Sequence, residues 1–382
     1  MIKTKIGALA GVVLLALGLA ACGSSSSTTS SSSSTSSSST GASSSSAAKT
    51  ATAPPTASGT ISGAGSTFAA PVYEQWGSAQ SGLTVNYQAV GSGAGITALE
   101  SKIVDFGASD PPLKAEETTT LEKVGPVVQV PMFFGAITVS YNLPGVKTGL
   151  KLDGKTIADI YLGTVKTWND PEIKALNPGV TLPSTPITVI HRSDSSGTSA
   201  GFTGFLASVD PEWKSKVGEG KDVQWPTGTG AKGNAGVAGA VQQTTGAVGY
   251  VEQAYALQHK FTYASVKNKA GKYVEPTLAS TTAAGVGIKV PANLGFKVSN
   301  PASPAAYPIT SQTFIVVYKD MCKAGVPGGE AAAKGVAKFL EYGLGSGQSI
   351  LAQADYAALP AAILAKSKAA LSSLECNGSP LG

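Results

Sequence analysis

Eight consecutive residues, Arg192-Ser193-Asp194-Ser195-Ser196-Gly197-Thr198-Ser199, put a fixed cation, a carboxylate, several hydroxyls and a glycine within reach of one another. They follow a strand-like run at 187–190 and precede a helix-like run at 201–209. A helix start leaves backbone N–H groups without intrahelical partners, and the helix dipole adds partial positive charge at the same place. Arginine contributes a planar fork of donors. Together these parts suit a tetrahedral oxyanion. The same residues also fit a plain N-cap beside a surface arginine, and the octamer alone does not choose between the two.

Three further junctions between strand-like and helix-like runs are rich in Gly and Ser. They are Gly63-Ala64-Gly65-Ser66-Thr67-Phe68, Val90-Gly91-Ser92-Gly93-Ala94-Gly95 and Asp105-Phe106-Gly107-Ala108-Ser109-Asp110-Pro111-Pro112. Glycine lets a ligand approach the backbone, and hydroxyls and N–H groups donate without mobile charge. Asp110 is the odd member, because a carboxylate repels an anion. It makes sense where the ligand still carries a proton to give, as hydrogen phosphate does and sulfate near neutral pH does not. An acceptor-only carboxylate then rejects sulfate by like charge and an unpaired acceptor. The competing reading of Asp110 is a cap before Pro111.

These junctions need a scaffold, and the pattern supplies one. Strand-like runs at 84–90, 105–109, 127–133, 136–141, 187–190, 247–251 and 312–318 alternate with helix-like runs at 71–78, 95–102, 114–123, 156–162, 234–244, 328–342 and 360–375. A loop-rich stretch covers 270–305. The alternation predicts an α/β architecture with mainly parallel sheets, in which ligands sit where strands end and helices begin.

The ends carry a different message. Lys3 and Lys5 precede an apolar run at 6–19 and then Leu19-Ala20-Ala21-Cys22-Gly23. This predicts a signal peptide over 1–21. The cysteine after Leu-Ala-Ala resembles a bacterial lipobox, in which Cys22 would carry acyl chains such as palmitate. Residues 24–59 are almost wholly Ser, Thr, Ala, Gly and Pro, a composition too poor in apolar surface to fold; the expectation is a lipidated cysteine and tether over 22–59. The net charge of +5 is small and scattered, which argues against nucleic acid. Beyond Cys22 only Cys322 and Cys376 remain, and two cysteines in an exported chain suggest a disulfide, with free buried thiols as the other reading.

Gly228-Thr229-Gly230-Ala231-Lys232-Gly233 matches a dinucleotide fingerprint. That fingerprint needs a strand just before it, and Gln224-Trp225-Pro226 stands there instead. The expectation is a tight loop before a helix, with Lys232 solvated. The chain has two histidines, His191 and His259, in no metal-ligand spacing, and no base is placed for Ser196 as a nucleophile. No cofactor and no metal are expected.

In these motifs the chain resembles the phosphate-binding lipoprotein family of bacterial phosphate-specific ABC uptake systems. To the four junctions it adds Val-Asn-Tyr-Gln at 85–88, Leu-Asp-Gly-Lys-Thr at 152–156, Gly-Ala-Val-Gly-Tyr-Val-Glu at 246–252 and Tyr-Pro-Ile-Thr-Ser at 307–311. The resemblance runs in order over roughly 61–320. It implies a two-lobed, class II periplasmic-binding-protein fold with hinge strands. Crossings near Val130-Pro131 and Pro308 would give lobe one at 60–131 and 308–382, and lobe two at 132–307. It also implies the phosphate-binding residues Thr67, Phe68, Ser92, Asp110, Arg192, Ser196, Gly197 and Thr198, with Asp194 holding Arg192. The implied partners are inorganic phosphate and the transmembrane permease subunits, for a monomer held by lipid on Cys22 at the outer face of the cell membrane. A secreted phosphatase and an adhesin-like lipoprotein are the alternatives.

Overall fold

The computed structural model describes residues 59–381. The expected signal peptide, the tether and Cys22 lie outside the described residues. In chain order the strands are β1 (Gly59–Gly65), β2 (Leu83–Ala89), β3 (Phe106–Ser109), β4 (Val127–Tyr141) and β5 (Lys151–Leu152). Next come β6 (Thr188–Arg192), β7 (Thr229–Ala231), β8 (Ala247–Glu252), β9 (Thr262–Tyr263) and β10 (Ser265–Lys267). The last are β11 (Tyr273–Val274), β12 (Thr310–Tyr318), β13 (Glu375–Cys376) and β14 (Ser379–Pro380). Nine of them form one sheet in the order β2-β1-β3-β12-β4-β8-β6-β7, with β9 also paired to β4.

The α/β expectation holds, but the sheet is mixed rather than mainly parallel. β1 lies parallel to β2 and β3, and β6 parallel to β7 and β8. Each parallel set has helices over its faces, as crossover connections require. Between the two sets lie β4 and β12, which pair antiparallel with each other and with β8 and β3. These two strands join the halves of the sheet. β4 pairs with β12 from Val127 to Ala136 and with β8 from Ile137 onward.

The sequence suggests two strands at 127–133 and 136–141, whereas β4 is one strand of 15 residues. Pro131 does not break it, because the ladder shifts register there: Phe314 faces Pro131 and Thr313 faces Phe133. Such a bulge is where a strand tolerates a residue with no N–H. The helix after β2 begins at Ser92, and the helix after β6 begins at Gly197. Both start earlier than their apolar patterns suggest, so the Gly/Ser motifs form first turns rather than preceding them. The 228–233 motif contains β7 and runs directly into the helix Gly233–Gln243, which corrects the reading of that segment as a loop.

Each half of the sheet has its own aromatic packing. In one, Tyr73, Trp76, Phe133 and Phe339 meet edge-on or tilted at ring separations of 5.6–6.1 Å. In the other, Phe202 stacks on Tyr250 at 4.3 Å, flanked by Tyr161 and Trp225. Rings of this size supply much of the buried apolar area that holds a fold. A disulfide joins Cys322 to Cys376. No helix among the described residues is long and apolar enough to cross a membrane.

Candidate anion-binding site

All nine of the residues expected at the site lie at or just beyond the carboxyl ends of parallel strands. Thr67 and Phe68 follow β1, Ser92 follows β2, Asp110 follows β3, and Asp194 to Thr198 follow β6, whose last residue is Arg192. Parallel strands aim their ends at one crevice, so the two halves of the sheet bring these loops face to face.

Contacts across the crevice are direct. The Gly93 N–H donates to the Ser195 carbonyl at 3.0 Å. Gly197 sits so close to the opposite loops that a Cβ there would stand 2.2 Å from Asp110 Oδ2 and 2.4 Å from Ser92 Oγ. Gly91 has φ +97°, and a Cβ there would also stand 2.5 Å from Asp194 Oδ2. Lys221, itself buried, pairs with Glu117 of the other half.

Arg192 is 3% exposed. Its Nε and Nη2 donate to the two oxygens of Asp194 at 2.7 and 2.5 Å, and Nη1 donates to Thr198 Oγ1 at 3.3 Å. Its backbone N–H donates to the Tyr250 hydroxyl at 3.0 Å, which ties the end of β6 to β8. Burial pushes the Asp194 carboxyl up, but the guanidinium outweighs burial and holds it below the ordinary carboxylate range. The Gly233 N–H adds a bond to Asp194 Oδ1 at 3.0 Å. A buried bidentate pair of this kind fixes the guanidinium plane.

Asp110 is 1% exposed. Its Oδ1 accepts from Ser66 Oγ at 2.5 Å and Thr313 Oγ1 at 3.0 Å. Its Oδ2 is the oxygen nearest Gly197 and points at the helix start. The backbone is held as well: Gln312 Nε2 donates to the Asp110 carbonyl at 2.7 Å, and the Asp110 N–H reaches Ser92 Oγ at 3.3 Å. Burial raises the carboxyl to about 6, against the two hydroxyl bonds and the Arg192 charge, which lower it.

The donors are completed by main chain. Ser196 caps the helix Gly197–Val209 by accepting from the Ser199 N–H at 3.0 Å, so the Gly197 and Thr198 N–H groups have no partner within the helix. The Phe68 carbonyl accepts from the Tyr356 hydroxyl at 2.7 Å, and the Thr67 carbonyl accepts from Tyr255 at 2.9 Å, which fixes this loop on both sides.

Several supporting roles here were not legible in the sequence. Ser66 and Tyr250 stand inside the motifs and Thr313 and Asn234 outside them: Ser66 and Thr313 hold Asp110, Tyr250 holds β6, and Asn234 bonds both Thr67 and Thr198. The available signal for Asn234 was its place, immediately after a glycine at a strand-to-helix junction like the other four. His191 stacks on Trp225 at 4.8 Å and bonds the neighbouring carbonyl, a packing role. Lys232 is exposed.

A sheet with helix starts converging on one buried arginine and one buried aspartate defines a binding protein for a small anion. The chain matches the PBP superfamily domain over residues 50–345. It is 41% identical over 323 residues to phosphate-binding protein PstS of Haemophilus influenzae, covering 83% of this chain and 94% of that protein. It is 38% identical over 285 residues to phosphate-binding protein PstS of Methanocaldococcus jannaschii, covering 70% and 72%. Among solved structures, a phosphate-binding protein from Stenotrophomonas maltophilia superposes with a TM-score of 0.65 at 22% identity, covering 82% of this chain and 94% of that one. The chain belongs to the phosphate-binding protein family of the PBP superfamily and has its periplasmic-binding-protein fold. The curated relatives named here carry names for binding, not for a catalytic activity.

Proposed function

We propose that this protein is an extracytoplasmic receptor that binds inorganic phosphate in the crevice and delivers it to the permease of an ABC transporter. The observation that carries the reading is that buried Asp110 turns Oδ2 toward Gly197, at the start of the helix that follows buried Arg192, and feels the Arg192 charge. Arg192 and the N–H groups of Phe68, Gly197 and Thr198 would neutralise an oxyanion, with Ser92, Ser196, Thr67 and Thr198 adding hydroxyls. Asp110 Oδ2 would accept the proton that phosphate still carries. Sulfate has none to give, so its oxygen would face a carboxylate with no hydrogen between them.

The halves of the sheet would act as lobes, 60–131 with 308–382 and 132–307, hinged near Val130-Pro131, where the β4–β12 ladder shifts register, and near Pro308, just before β12. Phosphate bridging Asp110 on one lobe and Gly197 on the other would stabilise the closed form, and the permease would read that form. A lipid on Cys22 would hold the receptor, as a monomer, at the outer face of the membrane near its permease. The PstS names of the relatives support phosphate as the ligand.

Isothermal calorimetry with phosphate, sulfate and a phosphate monoester tests this. Tight phosphate binding, weak sulfate binding and no turnover of the ester are the expected results. Ester turnover, or equal affinity for sulfate, would overturn the reading.

A further inference from the structure

We infer that Asn234 is a positioning residue that forces the Thr67 and Thr198 hydroxyls to present their protons to the anion. The inference rests on the phosphate-receptor reading above and adds to it a residue that touches no ligand.

Asn234 is fully buried at the first turn of the helix Gly233–Gln243. The orientation of its amide follows from chemistry alone. The Glu252 N–H donates to Oδ1 at 2.9 Å, and an N–H can meet only the oxygen end of an amide. Nδ2 therefore faces the crevice, where its two protons have two acceptors: Thr67 Oγ1 at 2.9 Å and Thr198 Oγ1 at 3.1 Å.

Each threonine hydroxyl has one proton and two lone pairs. Thr67 Oγ1 accepts from Asn234 Nδ2 and from the Asn234 backbone N–H at 3.2 Å. Thr198 Oγ1 accepts from Asn234 Nδ2 and from Arg192 Nη1 at 3.3 Å. All of these partners are donors only. Neither hydroxyl can spend its proton on them, and both have used their lone pairs. What remains on each oxygen is one O–H directed away from Asn234. A free hydroxyl turns to suit its surroundings, donor or acceptor. In the closed crevice these two are fixed as donors, so an anion held there receives two bonds from hydroxyls that cannot turn away from it. Asn234 also joins Thr67 of one half of the sheet to Thr198 of the other, so this donor-only setting exists only when the crevice is closed.

The direct test is neutron diffraction from the deuterated full-length protein, crystallised without ligand in the closed form in which Asn234 reaches both threonines. Both threonine deuterons should point away from Asn234; a deuteron on either oxygen aimed at Asn234 would overturn the inference whether or not phosphate binds. The energetic test uses phosphate calorimetry on Asn234→Ala in the wild-type and in the Thr67→Val/Thr198→Val backgrounds. Losing two oriented donors should weaken phosphate binding about 10- to 100-fold in the first background and less than about threefold in the second. Equal losses in both would mean that Asn234 acts only as structure. Should Asn234→Ala not fold, Asn234→Asp serves. Its carboxylate would draw the hydroxyl protons inward, and its affinity deficit against wild type should narrow as the pH falls and the carboxyl protonates. A deficit flat with pH would count against the inference. Absence of phosphate binding by the wild type would instead sink the receptor reading.

Discussion

At the scale of single residues, Asp110 would sort the ligand by its protons. Its carboxyl is raised to about 6 by burial. Above that value it is ionised and repels sulfate; below it the group is an O–H donor that sulfate can accept. Sulfate affinity should therefore rise as the pH falls through about 6, and calorimetry across pH 5 to 8 would show it. Asp110→Asn carries donors at every pH, so its sulfate affinity should be higher at neutral pH and lack that step. A similar loss for both anions in Asp110→Asn would refute the proton-acceptor role. Gly197 is the second such residue. Its missing side chain is what allows Asp110 Oδ2 and Ser92 Oγ to reach the helix start. Gly197→Ala should hold the loops apart and weaken phosphate binding about 100-fold or more, since several charge-assisted bonds lengthen together. Its melting temperature without ligand should change little, because the strain is relieved by opening the crevice.

At the scale of elements, the strand-to-helix junctions were the most legible part of the molecule. Glycine, serine and a following apolar period mark them locally; helices begin inside two of them, at Ser92 and Gly197, and just after the other two, at Ala70 and Ala115. Ser66, Thr313 and Asn234 were harder to read because their roles depend on partners 44, 203 and 167 residues away in sequence. The mixed sheet was hidden for a related reason, since strand direction is fixed by which strands meet rather than by their composition. One element end makes a further claim. The Tyr356 hydroxyl lies 2.7 Å from both the Phe68 carbonyl and Glu252 Oε2. A phenol has one proton, so bonding both oxygens requires Glu252 to carry the second. Burial drives the Glu252 carboxyl well above its ordinary range, Asp355 adds to this, and the Ala254 N–H opposes it. A raised folded-state value means stability that is full at acid pH and lost as the pH climbs above the ordinary carboxylate range. Glu252→Gln should remove that part of the slope in thermal melts from pH 4 to 8; an unchanged slope would mean that Glu252 is ionised. The disulfide acts at the same scale. Cys322 and Cys376 are 54 residues apart, so the bridge restricts a long loop of the unfolded chain. Replacing both by serine should cost about 2–4 kcal/mol in denaturant unfolding.

At the scale of the whole molecule, the fold places two sets of parallel strands so that their ends oppose, and joins them through β4 and β12. This geometry brings loops that are far apart in sequence to one buried crevice, and under the proposed function filling it would close the halves. The charge balance alone gave no hint of an anion ligand, because the decisive cation is a single buried arginine already paired with Asp194. The proposed function requires the anion to sit in the crevice. A crystal structure of the protein grown with phosphate tests this most directly. Tetrahedral density is expected within hydrogen-bond distance of Asp110 Oδ2, the Arg192 guanidinium and the Gly197 and Thr198 N–H groups. Phosphate found only outside the crevice, or a crevice that closes around water alone at saturating phosphate, would contradict it.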